Sequence, residues 1–139
     1  MSNPGPASTT TIHPQNLTSN QAIRLLGVLT GVNLNATGDN AVQIANTSAY
    51  SVSNVVLTNA SISLTTAHVS VYPQVAAGGT AIVADTAVSS NTGPTVVNQL
   101  TVASTAVQTG QNLYFRVGTA QGAAATADVY IYGYDFGTY

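Results

Sequence analysis

From Gln21 onward the apolar residues recur at alternate positions in short runs, and each run ends in a string of turn-forming residues. That period is the signature of half-buried strands. Ala22–Thr30 (AIRLLGVLT) places Ile23, Leu25 and Leu29 on one face and Leu26 and Val28 on the other. A helix starting after Asn20 is the rival reading; Gly27 and the β-rich surroundings weigh against it. Val32–Asn35 and Ala41–Ala45 are predicted strands on either side of the turn string Ala36-Thr37-Gly38-Asp39-Asn40. Ser51–Thr58 sets Val52 and Val56 against Val55 and Leu57. Ser61–Leu64 and Ala67–Tyr72 follow, the latter with Val69 and Val71 inward and His68, Ser70 and Tyr72 outward.

Pro73 and the pair Gly78-Gly79 then interrupt the pattern. Thr80–Ala84 reads as a short strand, and Ser89–Thr95, with Asn91, Gly93 and Pro94, as a loop. Val96–Ala103 and Asn112–Gly118 are predicted strands with Gly110 turning between them. The loop Thr119–Thr126 leads to a last strand, Ala127–Phe136. Turn signals spaced at roughly 8–12 residues predict a sandwich or barrel in preference to a βαβ fold. The fold expected is all-β: a single jelly-roll-like β-sandwich of about eight to ten strands over residues 21–139.

Residues 1–20 have no periodic apolar face and carry Pro4, Pro6 and Pro14. They read as an extended N-terminal arm, which at full stretch reaches roughly 70 Å, far enough to lie across a neighbouring subunit. The other reading is an ordinary unstructured terminus.

The last two strands show how faces are assigned. Leu113, Phe115 and Val117 alternate with Asn112, Tyr114 and Arg116. In the final strand Val129 and Ile131 share one face, while Tyr130, Tyr132 and Tyr134 line the other. One face fills the core. The tyrosine face either meets another surface, since tyrosine buries its ring while its hydroxyl finds a partner, or forms a half-exposed ladder of cross-strand pairs.

Composition sharpens this picture through charge. Charged residues make up 4% of the chain, against about 25% in an ordinary soluble domain. The cations are Arg24 and Arg116; the anions are Asp39, Asp85, Asp128 and Asp135. Two isolated arginines do not supply the clustered positive charge that nucleic-acid binding requires. A hydrophobic fraction of 45% with a net charge of -2 is the opposite of a disordered composition. Weak repulsion between copies favours association, so the composition suits a subunit of an assembly; a soluble monomer with a Thr/Asn-rich surface is the other reading.

No apolar run is long enough to span a bilayer, and Met1-Ser2-Asn3-Pro4-Gly5-Pro6 has neither a basic nor an apolar signal region. The expectation is a protein made and kept in a cytoplasm, or released by lysis, with no membrane partner. Sequons at Asn16, Asn35, Asn46 and Asn59 are then chance products of a Thr/Ser/Asn-rich chain.

Candidate chemistry is sparse. Cys, Lys and Glu are absent, which removes thiol nucleophiles, thiolate metal sites and most general bases. His13 lies in the arm, and His68 on an outward strand face. Asp128 and Asp135 fall on opposite faces of one strand by parity, a poor arrangement for a paired-carboxylate site. No calcium loop, nucleophile elbow or phosphate-binding loop occurs. No catalytic residue, cofactor or metal is assigned.

Three stretches carry a resemblance: Thr58–Ala67 (TNASISLTTA), Gly78–Ala84 (GGTAIVA) and above all Leu113–Gly133 (LYFRVGTAQGAAATADVYIYG), with the turn Asn35–Asp39 fitting the same pattern. Over residues 32–136 the chain resembles small phage and prophage proteins encoded among virion structural genes. The resemblance implies a capsid decoration (cement) protein: β-rich, without catalytic residues, often a homotrimer on the head surface, clamping the major capsid protein. It brings no residue-level motif for contact with the shell. The residues expected at interfaces are therefore those the pattern itself offers: Pro4, Pro6, Ile12, His13 and Pro14 in the arm, and Tyr130, Tyr132 and Tyr134 on the last strand. A fibre-tip domain binding host-surface glycans is the alternative, and a small β hydrolase using His68 or Asp128 is a third.

Overall fold

The computed structural model describes residues 23–45 and 47–137. Eight strands follow one another without a helix among the described residues: β1 (Ile23–Asn33), β2 (Gly38–Gln43), β3 (Tyr50–Thr58), β4 (His68–Tyr72), β5 (Val83–Ala87), β6 (Val97–Leu100), β7 (Asn112–Thr119) and β8 (Thr126–Asp135). They form two four-stranded antiparallel sheets, sheet A in the order β1-β8-β3-β6 and sheet B in the order β2-β7-β4-β5. The pairs β1–β8, β2–β7, β3–β6 and β4–β5 are nested, so the chain resembles one long hairpin rolled up around its tip. This is the jelly-roll winding, and it agrees with the β-sandwich the alternation predicts.

A single apolar cluster fills the space between the sheets. Val55, Leu57, Val129 and Ile131 from sheet A face Val42, Val69, Val71, Leu113, Phe115 and Val117 from sheet B, all essentially inaccessible to water. Tyr50 is also fully buried and donates its hydroxyl to the Gly110 carbonyl at 2.8 Å. With no aqueous environment for the phenolate, burial pushes its pKa up to about 12.

Sheet A departs from strict alternation, and its departures are structural. In β1, Leu25 pairs with Tyr132 and Gly27 with Ile131, which leaves Leu26 as an extra residue. In β3, Val52 pairs with Gly133 and Asn54 with Tyr132, which leaves Ser53 extra. Each bulge shifts the phase of its strand by one residue. In β1, Leu26, Leu29 and Val32 therefore turn toward the core, while Ile23, Leu25 and Val28 are exposed. The predicted grouping of Leu29 with Ile23 and Leu25, and of Leu26 with Val28, is corrected accordingly. Val52 likewise joins Val55 and Leu57 in the core instead of sharing a face with Val56.

The β3 bulge adjoins Gly133, and the reason for a glycine there is spatial. A Cβ at Gly133 would lie 2.0 Å from the Ser51 carbonyl oxygen and 2.8 Å from the Leu26 Cδ1. Gly27 is equally constrained, since its Cβ would meet Val42 Cγ1 at 2.6 Å.

Other boundaries move for local reasons. Val32–Asn35 is not a separate strand: β1 runs on through Asn33, passing a bulge at Gly31, whose φ of 63° is left-handed. Ser61–Leu64 lies outside the strands, held by single bonds from Ser61 N–H to the Thr126 carbonyl and from Leu64 N–H to that of Asn91. Buried Leu64 anchors it as a plug and not as a ladder. β2 begins at Gly38, inside the predicted turn string. β5 occupies Val83–Ala87 and not Thr80–Ala84, while β6 is shorter than Val96–Ala103. Ser70 keeps its outward parity opposite Arg116 but is nonetheless buried.

A candidate interaction face

The side chains that leave the core on β8 are Tyr130, Tyr132 and Tyr134, in the alternation the sequence predicts. Register shows what surrounds them. Tyr130 is flanked by Val28 on β1 and Val56 on β3; Tyr132 by Leu25 and Asn54; Tyr134 by Ile23 and Ser51. Directly paired antiparallel residues share a face, so the outside of sheet A is a row of aromatic side chains edged on one side by aliphatic ones. Ile23 is 48% exposed and Leu25 41%. Phe136 continues the aromatic alternation past the end of β8, and Val97 on β6 pairs with Thr58 at the other end. Of the predicted interface residues, the three tyrosines thus come together on one face; Pro4, Pro6, Ile12, His13 and Pro14 lie outside the described residues. Sequence reasoning did not assign Ile23, Leu25 and Val28 to this face, because only the bulge at Leu26 brings all three outward. The signal was the glycine in Leu25-Leu26-Gly27, a common mark of a bulge.

The ionisable groups are organised differently. Asp135 is buried. It accepts hydrogen bonds from Thr47 Oγ1 at 2.5 Å, Gly137 N–H at 2.8 Å and Arg24 Nε at 2.9 Å. Burial alone would raise its pKa, but these bonds and the Arg24 charge outweigh burial and hold it below the usual carboxylate range. Arg24 also donates to the Ala45 carbonyl at 2.7 Å, so this cluster ties the start of β1 to the β2–β3 connection and the end of β8.

On sheet B, Asp39 accepts from the Ala76 N–H at 2.6 Å and from Arg116 at 2.8 Å. Both bonds lower its pKa, the backbone bond most. They brace a tight turn in which Ala76 and Ala77 both hold left-handed φ, 57° and 60°. His68 Nδ1 lies 2.9 Å from Asp85 on the exposed face of the same sheet. Asp128 sits on sheet A, where it accepts from the Gly31 N–H at 2.8 Å and from Asn59 Nδ2 at 2.9 Å.

Gln121 makes a further joint of this kind. Its side-chain oxygen accepts from three successive backbone N–H groups, those of Thr65, Thr66 and Ala67, each at 3.1 Å. Its amide nitrogen donates to Thr65 Oγ1 at 2.9 Å.

Two consequences follow for chemistry. His68 and Asp128, the residues a hydrolase would use, stand on the outer faces of different sheets and form no common site. The two outer faces also differ in kind: sheet B carries the Asp39–Arg116 ion pair and the His68–Asp85 contact, whereas sheet A presents tyrosine and aliphatic surface. Among the described residues there is no pocket, no group of three or more His, Asp or Glu side chains able to hold a metal, and no helix long and apolar enough to cross a membrane.

What fold and face define together is a jelly-roll β-sandwich with one apolar, aromatic outer face. No known protein family, curated protein or solved structure matches the chain.

Proposed function

We propose that this chain is a non-enzymatic structural subunit of a bacteriophage virion, a capsid decoration (cement) protein on the outer surface of the head. In this reading it is made in the host cytoplasm. It binds the major capsid protein and other copies of itself, and so stabilises contacts between capsid subunits.

One observation carries the reading: the Arg, Asp and His side chains of the described residues are engaged with partners inside the domain, while an aromatic and aliphatic face stands exposed. A molecule built this way has its charges committed to its own joints and its stickiest surface turned outward. Exposed apolar area of that kind marks an interaction site, and tyrosine is enriched where such sites are buried. The jelly roll is itself a frequent architecture of viral capsid and lectin domains, which is support by fold analogy alone. Repetition over a lattice converts modest single contacts into durable attachment.

The test is occupancy. Purified protein is added to phage heads lacking it, and bound copies are located by particle reconstruction. Density for the sandwich on the head exterior is the expected result. Removal of residues 1–20 tests the arm: reduced occupancy by a chain that still folds supports a tethering role, and unchanged occupancy refutes it. No binding to any head, with affinity for cell-surface sugars on a glycan array, would overturn the reading in favour of a host-binding tip.

A further inference from the structure

The outer face of sheet A has a composition that suits a copy of itself. We propose that two copies of this chain pack sheet A against sheet A about a two-fold axis, with Tyr132 of each copy close to the axis. This rests on the structural-subunit reading above and names the partner of the tyrosine face.

The apolar surface is concentrated there. Among the described residues, six of the nine large apolar side chains that are more than a third exposed belong to this face: Ile23, Leu25, Val28, Val97, Tyr134 and Phe136. The face is also nearly free of charge. Among the described residues its one carboxylate is Asp128, toward the end remote from Tyr134, with each carboxylate oxygen already holding a hydrogen bond. Two copies therefore meet without like-charge repulsion and without stranding an unbonded carboxylate. The Asp39–Arg116 ion pair and the His68–Asp85 contact, which would hinder dry packing, lie on the outer face of sheet B.

The dimensions fit. β1, β8, β3 and β6 run 11, 10, 9 and 4 residues; at about 3.4 Å per residue and about 4.8 Å per strand they give a face of roughly 550 Å² per copy. Two facing copies then cover roughly 1,100 Å² in total, above the roughly 1,000 Å² that a biological interface should clear.

The sheet edges are weaker candidates. β1 is bulged twice along its length, and β2, β5 and β6 are only six, five and four residues long. Bulged and short edges resist strand-to-strand pairing. Symmetry then chooses the order of association. A ring of three needs two different, mutually complementary patches on each copy, whereas one patch facing itself needs only a two-fold axis. The tyrosine row lies on the second of the four strands, and Tyr132 is interior to it. Across sheets about 10 Å apart the tyrosine rings interleave, and their hydroxyls reach polar side chains such as Asn54 and Gln99 of the facing copy.

The experiment is sedimentation equilibrium on the full chain and on three variants: Tyr132→Asp and Leu25→Asp on this face, and Tyr72→Asp on the outer face of sheet B. The wild type is expected at twice the mass of one chain. Both sheet A variants should weaken pairing about thirtyfold or more, the loss typical of a central interface residue, and Tyr72→Asp should leave pairing intact. Circular dichroism reports whether each variant folds. Should the sheet A variants fail to fold, photo-oxidative dityrosine cross-linking of the wild type gives the second reading. Links among Tyr130, Tyr132 and Tyr134 of two chains support the proposal, and links confined to Tyr72 and Tyr114 overturn it. A wild type of one-chain or three-chain mass overturns it as well, as does pairing lost in Tyr72→Asp but kept in Tyr132→Asp. A single-chain protein that still decorates phage heads would end this inference and leave the functional reading standing. A paired protein that joins no particle would do the reverse.

Discussion

Gln121 offers the sharpest test of how the loops at one end of the sandwich are held. Gln121→Ala removes the acceptor of the Thr65, Thr66 and Ala67 N–H groups and the donor to Thr65 Oγ1. Thr65 and Thr66 are exposed, so water replaces much of what they lose. Ala67 is only 1% exposed, and an N–H left unpaired there costs about 1–3 kcal/mol. Adding about 0.5 kcal/mol for each of the three other lost bonds gives a total of about 2.5–4.5 kcal/mol. For a domain of this size that corresponds to a drop of roughly 8–18 °C in melting temperature.

Gln121→Glu is the informative counterpart. A carboxylate accepts the same three N–H groups more strongly, and the Thr65 hydroxyl can turn to donate to it. The introduced carboxylate is then held below the ordinary glutamate pKa of about 4.3. A depressed folded-state pKa contributes stability above the unfolded value and loses it as pH falls through the folded value. At pH 7 Gln121→Glu should therefore equal or exceed the wild type, with the advantage vanishing in acid. Urea unfolding of the three proteins across pH 3–7 measures this. An alanine variant within about 0.5 kcal/mol of wild type, or a glutamate variant no more stable than alanine at pH 7, would refute the account.

Three further outcomes follow from the same geometry. Gly133→Ala drives a methyl group into the Ser51 carbonyl and Leu26; it should cost about 3 kcal/mol or more, read by chemical denaturation, and a cost under about 1 kcal/mol would mean the strands yield freely there. Asp135→Asn removes a group whose pKa is lowered in the fold, so the wild type should lose stability as pH falls below the usual carboxylate range while the variant, weaker at pH 7, shows a flatter acid limb; parallel limbs would contradict the assignment. Ala77→Gly relieves a left-handed residue and should raise stability by about 0.5–1 kcal/mol, visible as a higher unfolding midpoint, and a lower midpoint would count against backbone strain in that turn.

Much of the fold was legible in the chain. Alternation in β7 and β8 placed Leu113, Phe115, Val117, Val129 and Ile131 inward and the tyrosines outward, and the structure agrees. These strands are internal to their sheets, each paired on both sides, so neither can slip without exposing its apolar set. The absence of Cys, Lys and Glu was equally plain.

The candidate face was half legible, because its tyrosines follow a local period while its aliphatic edge does not. Residue period determined which side chains of β8 face out; it did not determine the phase of β1 and β3. That phase depends on the extra residues Leu26 and Ser53, which only the pairing with β8 defines, and on Gly133, where Ser51 and Leu26 leave no room for a side chain. The joints are of the same kind. Arg24 with Asp135, Asp39 with Ala76 and Gln121 with Thr65–Ala67 link residues far apart in the chain. No spacing in the sequence announces them, since they exist only once the rolled hairpin brings those segments to the same end of a sheet. The chain by itself determined strands, core and an aromatic stripe; packing two sheets around one core decided how wide that stripe became and which polar groups were used up in holding it.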